Sequence, residues 1–271
     1  MLRLMQLGVV PFGTATLTLS MAEEPLLGAP DLAGLNPDMA TLRRTVAAYR
    51  PVLESQLRGR HGLELLAIYA YPAQVIFCNQ AFAKLDDLAG RRVRVSGLTQ
   101  ANLIDAVGGL PVTTTFADLM PRMRAGSLDC AITGAMSGNT IGLHEITSHL
   151  HTLAIGWGLA VFAANSVAWG KLSPELRGLL KQQLPLLEQA IWTEADRQTD
   201  EGIACNSGAG TCTAGRRGKM VVIRPTTADQ KRLRELLTSN SLPRWVARCG
   251  ARCAEVWNQS IAPVAGIEAV P

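Results

Sequence analysis

Through the middle third of the chain, short apolar runs alternate with amphipathic stretches. Leu63 to Tyr71 is an apolar run of strand length. Asp86 to Gly97 reads as a turn feeding a strand in which Val93 and Val95 alternate with Arg92 and Arg94; taken alone, that alternation makes Arg94 an exposed strand residue. Gln100 to Val107 is predicted helical and is closed by Gly108-Gly109. Pro111 to Thr115 is extended, Phe116 to Ala125 is a helix stopping at Gly126, and Leu128 to Thr133 is a strand followed by a glycine-bearing loop. The order strand–helix–strand–helix–strand predicts an α/β unit built on a parallel sheet.

The flanks are less regular. Pro25 to Pro37 is turn-rich and reads as a loop, after which residues 38–53 carry apolar positions at helical spacing. Ser173, with Pro174 at the first helical position and Glu175 next, opens a long helix that should reach about Gly202 and bend at Pro185. A strand from Lys219 to Ile223 and a helix from Thr227 complete the reading. The first 22 residues have two readings: a weak secretory signal ending in Ser20-Met21-Ala22, or a buried strand from Leu7 to Gly13. No other stretch approaches the roughly 18 apolar residues that a membrane helix needs.

Composition narrows the function classes. Of 271 residues 48% are hydrophobic and 18% charged, enough for a sizeable core. The net charge of +4 comes without a basic run; the densest cluster, Arg91, Arg92 and Arg94, sits inside a predicted strand. That distribution excludes a nucleic-acid stripe and suits capture of anionic solutes. Four of the six cysteines form close pairs, Cys205 with Cys212 around a flexible loop and Cys249 with Cys253 around Gly250. Two disulfides in an oxidising compartment, or unpaired buried thiols, both fit these spacings.

Catalytic signatures are sparse. His144-Glu145 followed by His149 has HExxxH spacing, which puts the two rings on different faces of a helix, unlike the HExxH of zinc proteases. Surface or capping roles are expected for these histidines, and no cofactor is expected. There is no GxSxG, GxGxxG or GxxxxGK[ST]. Cys78 or Cys130 could serve as a thiol nucleophile with a distant histidine, although nothing local marks either as activated.

Three blocks, in the segment from Leu85 to Leu172 and just beyond it, carry a resemblance. Asp87-Leu-Ala-Gly-Arg-Arg-Val-Arg-Val-Ser-Gly is the first, and Gly109-Leu-Pro-Val-Thr-Thr-Thr-Phe-Ala-Asp-Leu through Gly126-Ser-Leu-Asp129 the second. The third runs from Leu143-His-Glu-Ile-Thr-Ser-His-Leu150 to Asn165-Ser-Val-Ala-Trp169-Gly-Lys-Leu-Ser-Pro-Glu175. Together they resemble the DctP-like solute-binding subunits of tripartite ATP-independent periplasmic (TRAP) transporters. The resemblance implies a two-lobed α/β fold of the periplasmic-binding-protein type II kind, with a long helix spanning both lobes. It places an incomplete first lobe at 1–72, rejoined by about 160–172, and the second lobe at 73–159. The spanning helix occupies 173–204, and 205–271 pack back on the lobes. The first lobe is expected to lack about two elements before Met1, exposing a sheet edge.

The same resemblance implies a periplasmic receptor that hands a small organic carboxylate to TRAP-type membrane permease subunits. The family's carboxylate-binding arginine matches Arg94, and a second arginine position is occupied by Gln74. Thr133 stands at an amide position, Phe116 keeps an aromatic, and Trp157 is expected to wall the cleft. Ser137 and Asn139 follow in the loop and could donate hydrogen bonds. One arginine in place of two favours a monocarboxylate, such as a keto, hydroxy or aromatic acid. A thiol-dependent enzyme on the same scaffold and a ligand-sensing domain are the competing readings.

Overall fold

The computed structural model describes residues 1–271. A short helix α1 (Leu2–Gln6) leads into strand β1 (Phe12–Thr16), and two further short helices follow, α2 (Leu17–Ser20) and α3 (Pro25–Gly28). Helix α4 (Met39–His61) begins at Asp38, whose side chain accepts the Thr41 N–H at 2.6 Å, and ends at Gly62 in the left-handed region. Leu42, Val46, Tyr49, Leu53 and Leu57 recur on one face of α4 and are fully buried or nearly so.

The chain then alternates between two sheets. Strands β2 (Leu63–Tyr69) and β3 (Gln74–Cys78) are followed by β4 (Arg92–Val95), helix α5 (Leu98–Ala106) and β5 (Leu110–Thr113). Helix α6 (Phe116–Arg124), β6 (Cys130–Gly134) and helix α7 (Ala135–Thr140) come next, then β7 (His149–Gly156) and β8 (Ala160–Asn165). Helix α8 (Ser166–Gly170), the long α9 (Pro174–Ser207), β9 (Val221–Ile223) and helices α10 (Thr227–Leu236), α11 (Leu242–Cys249), α12 (Ala251–Ser260) and α13 (Ala262–Ala265) close the chain.

One sheet has the order β1-β8-β2, all antiparallel; the other has the order β5-β4-β6-β3-β7-β9. In the larger sheet β4 runs parallel to β5 and β6, as the alternating pattern predicts, while β3 is antiparallel to both its neighbours. The chain crosses between sheets at 70–73, leaving β2 for β3, and again at 157–159, leaving β7 for β8. Helix α9 packs on β2 of the small sheet and on β7 and β9 of the large one, so it spans both lobes. At roughly 1.5 Å per residue it is about 50 Å long.

At Ile68 the outer edge of β2 is met by side chains of α9: its N–H donates to Glu188 Oε2 at 2.9 Å and its carbonyl accepts the Trp192 indole N–H at 2.7 Å. Close approach of α9 to α7 depends on Gly202, where a Cβ would overlap the backbone of Ala135 and Met136. Gly202→Ala should therefore lower stability by about 1–3 kcal/mol. Gly178→Ala, in the same helix but with open space around it, should be neutral or stabilising by up to about 1 kcal/mol. Urea unfolding of the two variants reads the contrast.

Several expectations need correction. The first strand lies at Phe12–Thr16, not Leu7–Gly13, because Leu2 and Met5 bury one face of a helical turn ahead of it. Pro25 to Pro37 is not an open loop: it carries α3 and a turn of 3-10 helix, and Leu26, Leu27, Ala29, Leu32 and Leu35 are core residues. The stretch after β6 is helix α7, and α9 continues five residues past Gly202 to Ser207. A histidine outside that HExxxH stretch, His151, lies buried on β7 with its ring 5.7 Å from that of Phe82.

The cysteine pairs near the C-terminus are both bridged, Cys205 with Cys212 and Cys249 with Cys253, the latter across the helix break at Gly250. The third bridge overturns the thiol-enzyme reading. Cys78 and Cys130 are opposed in the β3–β6 ladder with Cα atoms 4.1 Å apart and are bonded to each other, fully buried, so neither is a free thiol.

Candidate ligand-binding cleft

Parallel strands present their C-terminal ends, and the loops that follow them, on one side of a sheet. Here those ends open on a cleft of about 560 Å³ between the two sheets. Ser96 follows β4, the run Thr113-Thr114-Thr115 ends β5 and leads on from it, and Thr133-Gly134 ends β6; all line the cleft. Gln74, which opens β3 directly after one crossing, and Gly158, within the other, also line it. Thr16 at the end of β1, and Thr18 and Leu19 of α2, line the cleft from the small sheet's side.

The helices that follow β4, β5 and β6 begin at Leu98, Phe116 and Ala135, at or within two residues of lining positions. Their N-terminal dipoles favour negative charge there. The α6 start is fixed by Thr115, whose hydroxyl oxygen accepts the Asp118 N–H at 3.2 Å.

Arg94 is the one charged side chain on the wall, and it is only 4% exposed. Its Nε and Nη2 donate to the Thr114 carbonyl at 3.2 and 3.1 Å, and Nη1 donates to the Ile132 carbonyl at 2.9 Å. Of the five N–H bonds of a guanidinium, this leaves one on each terminal nitrogen without a protein acceptor. No carboxylate lines the cleft, and burial pulls the pKa of Arg94 below its ordinary value. A cation so placed has been taken out of water without a counter-ion.

Around it the wall is hydroxyl-rich. The Thr133 side chain, on a 3% exposed residue, has no hydrogen bond to protein. Gln74 donates from Nε2 to the Pro72 carbonyl at 3.0 Å, which leaves its Oε1 and a second N–H for the cleft. Three apolar lining residues remain well exposed: Leu19 at 68%, Tyr71 at 48% and Phe116 at 45%. They stand on the small sheet's side, a crossing and α6 respectively, so the mouth of the cleft is apolar and open.

Of the seven residues singled out from the sequence, Arg94, Gln74, Phe116, Thr133 and Ser137 come together in this cleft. Trp157 does not wall it. Its indole N–H donates to the Asn36 carbonyl at 2.9 Å and its backbone N–H to Asp31 Oδ1 at 2.9 Å, behind the crossing. Asn139 points the other way along α7: its Nδ2 donates to the Arg216 carbonyl at 2.8 Å and its Oδ1 accepts the Arg216 N–H at 2.8 Å. That pair ties down the loop after α9. Sequence reasoning missed Thr16, Thr18, Leu19, Tyr71, Ser96, the Thr113–Thr115 run and the two glycines. The threonine run, sitting between a strand and a helix, was the available signal.

A sequence profile of the bacterial extracellular solute-binding proteins, family 7 (DctP), matches residues 1–239. The chain belongs to this family. No curated protein sequence matches it. Solved structures do, at low identity. DctP7 of Bordetella pertussis, an extracytoplasmic solute receptor binding pyroglutamic acid, is 20% identical with a TM-score of 0.84, covering 95% of this chain and 82% of that one. A TRAP periplasmic solute-binding protein from Desulfovibrio salexigens with bound orotic acid is 16% identical with a TM-score of 0.85, covering 97% and 82%. The ectoine-binding protein of the TeaABC TRAP transporter from Halomonas elongata is 17% identical with a TM-score of 0.82, covering 97% and 84%. At these identities the likeness is one of fold, and the two-lobed architecture with its long helix is shared.

Proposed function

We propose that this DctP-family protein is a periplasmic receptor that captures a small monocarboxylate between its lobes, unchanged, for a TRAP-type membrane permease. The observation that carries the reading is Arg94. A buried guanidinium with an unused N–H on each terminal nitrogen and no counter-ion is complementary to one carboxylate, which it can bind through both oxygens. The same count limits the ligand. Because no second cation lines the cleft, a second carboxylate would be desolvated without a partner.

Leu19, Tyr71 and Phe116 favour a ligand with an apolar or ring-shaped body, since closure over it would remove their exposed surface from water. Pyroglutamic and orotic acids, found with the neighbours, are rings bearing one carboxylate. Three disulfides accord with an oxidising compartment.

The reading is tested by a thermal-shift screen of mono- and dicarboxylic acids, cyclic and acyclic, keto and hydroxy. A ligand at 100 times its dissociation constant stabilises the bound state by about 2.7 kcal/mol. At least one cyclic or aromatic monocarboxylate should shift the melting temperature more than its dicarboxylate counterpart. A screen in which only dicarboxylates or only uncharged solutes stabilise the protein would sink the proposal.

A further inference from the structure

A second buried charged group, Asp31, lies behind the crossing that carries Gly158. Asp31 ends the 3-10 turn after α3 and is 3% exposed. Its Oδ1 accepts the N–H of Trp157 at 2.9 Å, and its Oδ2 accepts those of Gly158 at 2.8 Å and Leu159 at 3.2 Å. These three consecutive residues are the whole of the β7–β8 crossing between the sheets. Gly158 also lines the cleft, in a left-handed conformation at φ +68°.

The residues after Asp31 fasten the same strap on both sides. Ala33 N–H donates to Thr99 Oγ1 of α5 at 2.6 Å, Gly34 N–H to the Ile155 carbonyl of β7 at 2.9 Å, and the Asn36 carbonyl accepts the Trp157 indole.

We propose that Asp31 is a positioning residue of the cleft: by gathering three N–H groups of one crossing onto a single carboxylate it fixes the angle at which the lobes face each other, and a proton loosens that hold. Ionised, the carboxyl is an acceptor at both oxygens. Protonated, one oxygen becomes a donor and confronts an N–H with no other acceptor. The crossing must then shift, carrying Gly158 and the relative setting of the lobes with it.

No other charge competes for this role. On the elements packed around Asp31, Arg43, Arg50 and Arg58 of α4 are turned to Trp192, Glu188 and Glu64, His151 of β7 faces Phe82 and the Asp229 side, and Asp105 of α5 pairs with Arg244. Glu24, ahead of α3, pairs with Arg60 and stands near His61, while Arg94 is turned to carbonyls. The polar partners of Asp31 are the three backbone N–H groups. Burial outweighs them and pushes its pKa up to about 6 from 3.8.

The sign of the linkage matters for the test. With its pKa raised in the folded state, Asp31 contributes to folding stability below about pH 4, and that contribution is lost as the pH rises through about 6. A looser lobe angle at pH 5 would therefore not be the onset of acid unfolding at this site, where protonation favours the fold.

The experiment needs no ligand, so it stands apart from the carboxylate reading. All six native cysteines are paired, so Ser55→Cys on α4 and Arg122→Cys on α6, both exposed, can be spin-labelled selectively and their separation measured by pulsed electron resonance. The wild-type background should give one narrow distance distribution at pH 7.5 that is lost on acidification, with a midpoint near pH 6. Asp31→Asn, which sets an amide N–H₂ against N–H donors, should lack the narrow distribution at both pH values and show no midpoint. An unchanged wild-type distribution from pH 7.5 to 5, or a pH response that persists in folded Asp31→Asn, overturns the proposal. If Asp31→Asn does not fold, the wild-type titration decides alone: a midpoint near 6 supports the assignment and its absence refutes it.

Discussion

Replacing Arg94 with alanine is expected to weaken capture of the best carboxylate found in a screen by about 30-fold to several thousand-fold. Truncating one partner of a buried, hydrogen-bonded charge pair costs about 2–5 kcal/mol, and each 1.4 kcal/mol is a factor of ten. The effect should be large here because Arg94 is the cleft's one charged side chain, so nothing nearby can take over the anion. Arg94→Lys keeps the charge but loses the fork that bonds Thr114 and Ile132 while leaving a pair of N–H groups for the ligand. It should recover only part of the loss. Titration calorimetry on both variants, with near-ultraviolet circular dichroism to establish native folding, measures this. Undiminished affinity in folded Arg94→Ala would remove the observation on which the carboxylate reading stands.

How Arg94 was reached shows what sequence can and cannot carry. Alternation along β4 makes Val93 and Val95 inward and Arg94 outward, and only the resemblance of the Asp87–Gly97 block pointed to a ligand. Both have a basis in the structure. Arg94 does project from the opposite side of the strand from its valine neighbours, but that side opens on the cleft and its carbonyls rather than on bulk water. Period-two patterning tells which residues share a face and says nothing of what lies over it.

The parallel β4–β5–β6 unit was legible because each of its strands is joined by a helix with its own punctuation, at Gly108-Gly109 and Gly126. Strand β3 was not recognised, although Val75-Ile-Phe-Cys78 is a continuous apolar run of the kind buried on both faces; all five residues of the strand are buried. The hinge bracket from Asp31 to Asn36 was hidden for another reason. Its glycine and the flanking Pro30 and Pro37 look like those of an exposed loop, and its polar atoms find partners up to 128 residues away. The lone acidic residue within Ala29-Pro-Asp-Leu-Ala33 was the one local sign that this segment is not solvent-facing. Trp157 failed for the same long-range reason: its apolar bulk suggested a cleft wall, whereas its two N–H groups are held by Asp31 and Asn36.

Removing the Cys78–Cys130 bridge should cost more stability than removing Cys205–Cys212, while leaving capture nearly intact. The two close chain segments of very different length, with sequence separations of 52 and 7. In the chain-entropy account these correspond to about 4 and about 2 kcal/mol of lost stability. The longer loop contains β4, α5, β5 and α6, most of the parallel unit that builds one wall of the cleft. Its closure lies at the far end of the β3–β6 ladder, four residues from the Gln74–Gly134 pair that lines the cleft. Cys78→Ala with Cys130→Ala should therefore lower the urea midpoint about twice as far as Cys205→Ala with Cys212→Ala, given the roughly twofold difference in loop entropy. Below its own unfolding transition, the first variant should hold its ligand within a few-fold of the wild-type dissociation constant. An equal or reversed order of the two midpoints would show that the long bridge does not restrain the unfolded chain as its loop length implies. A normal midpoint with lost affinity would instead place the bridge in the cleft's own geometry.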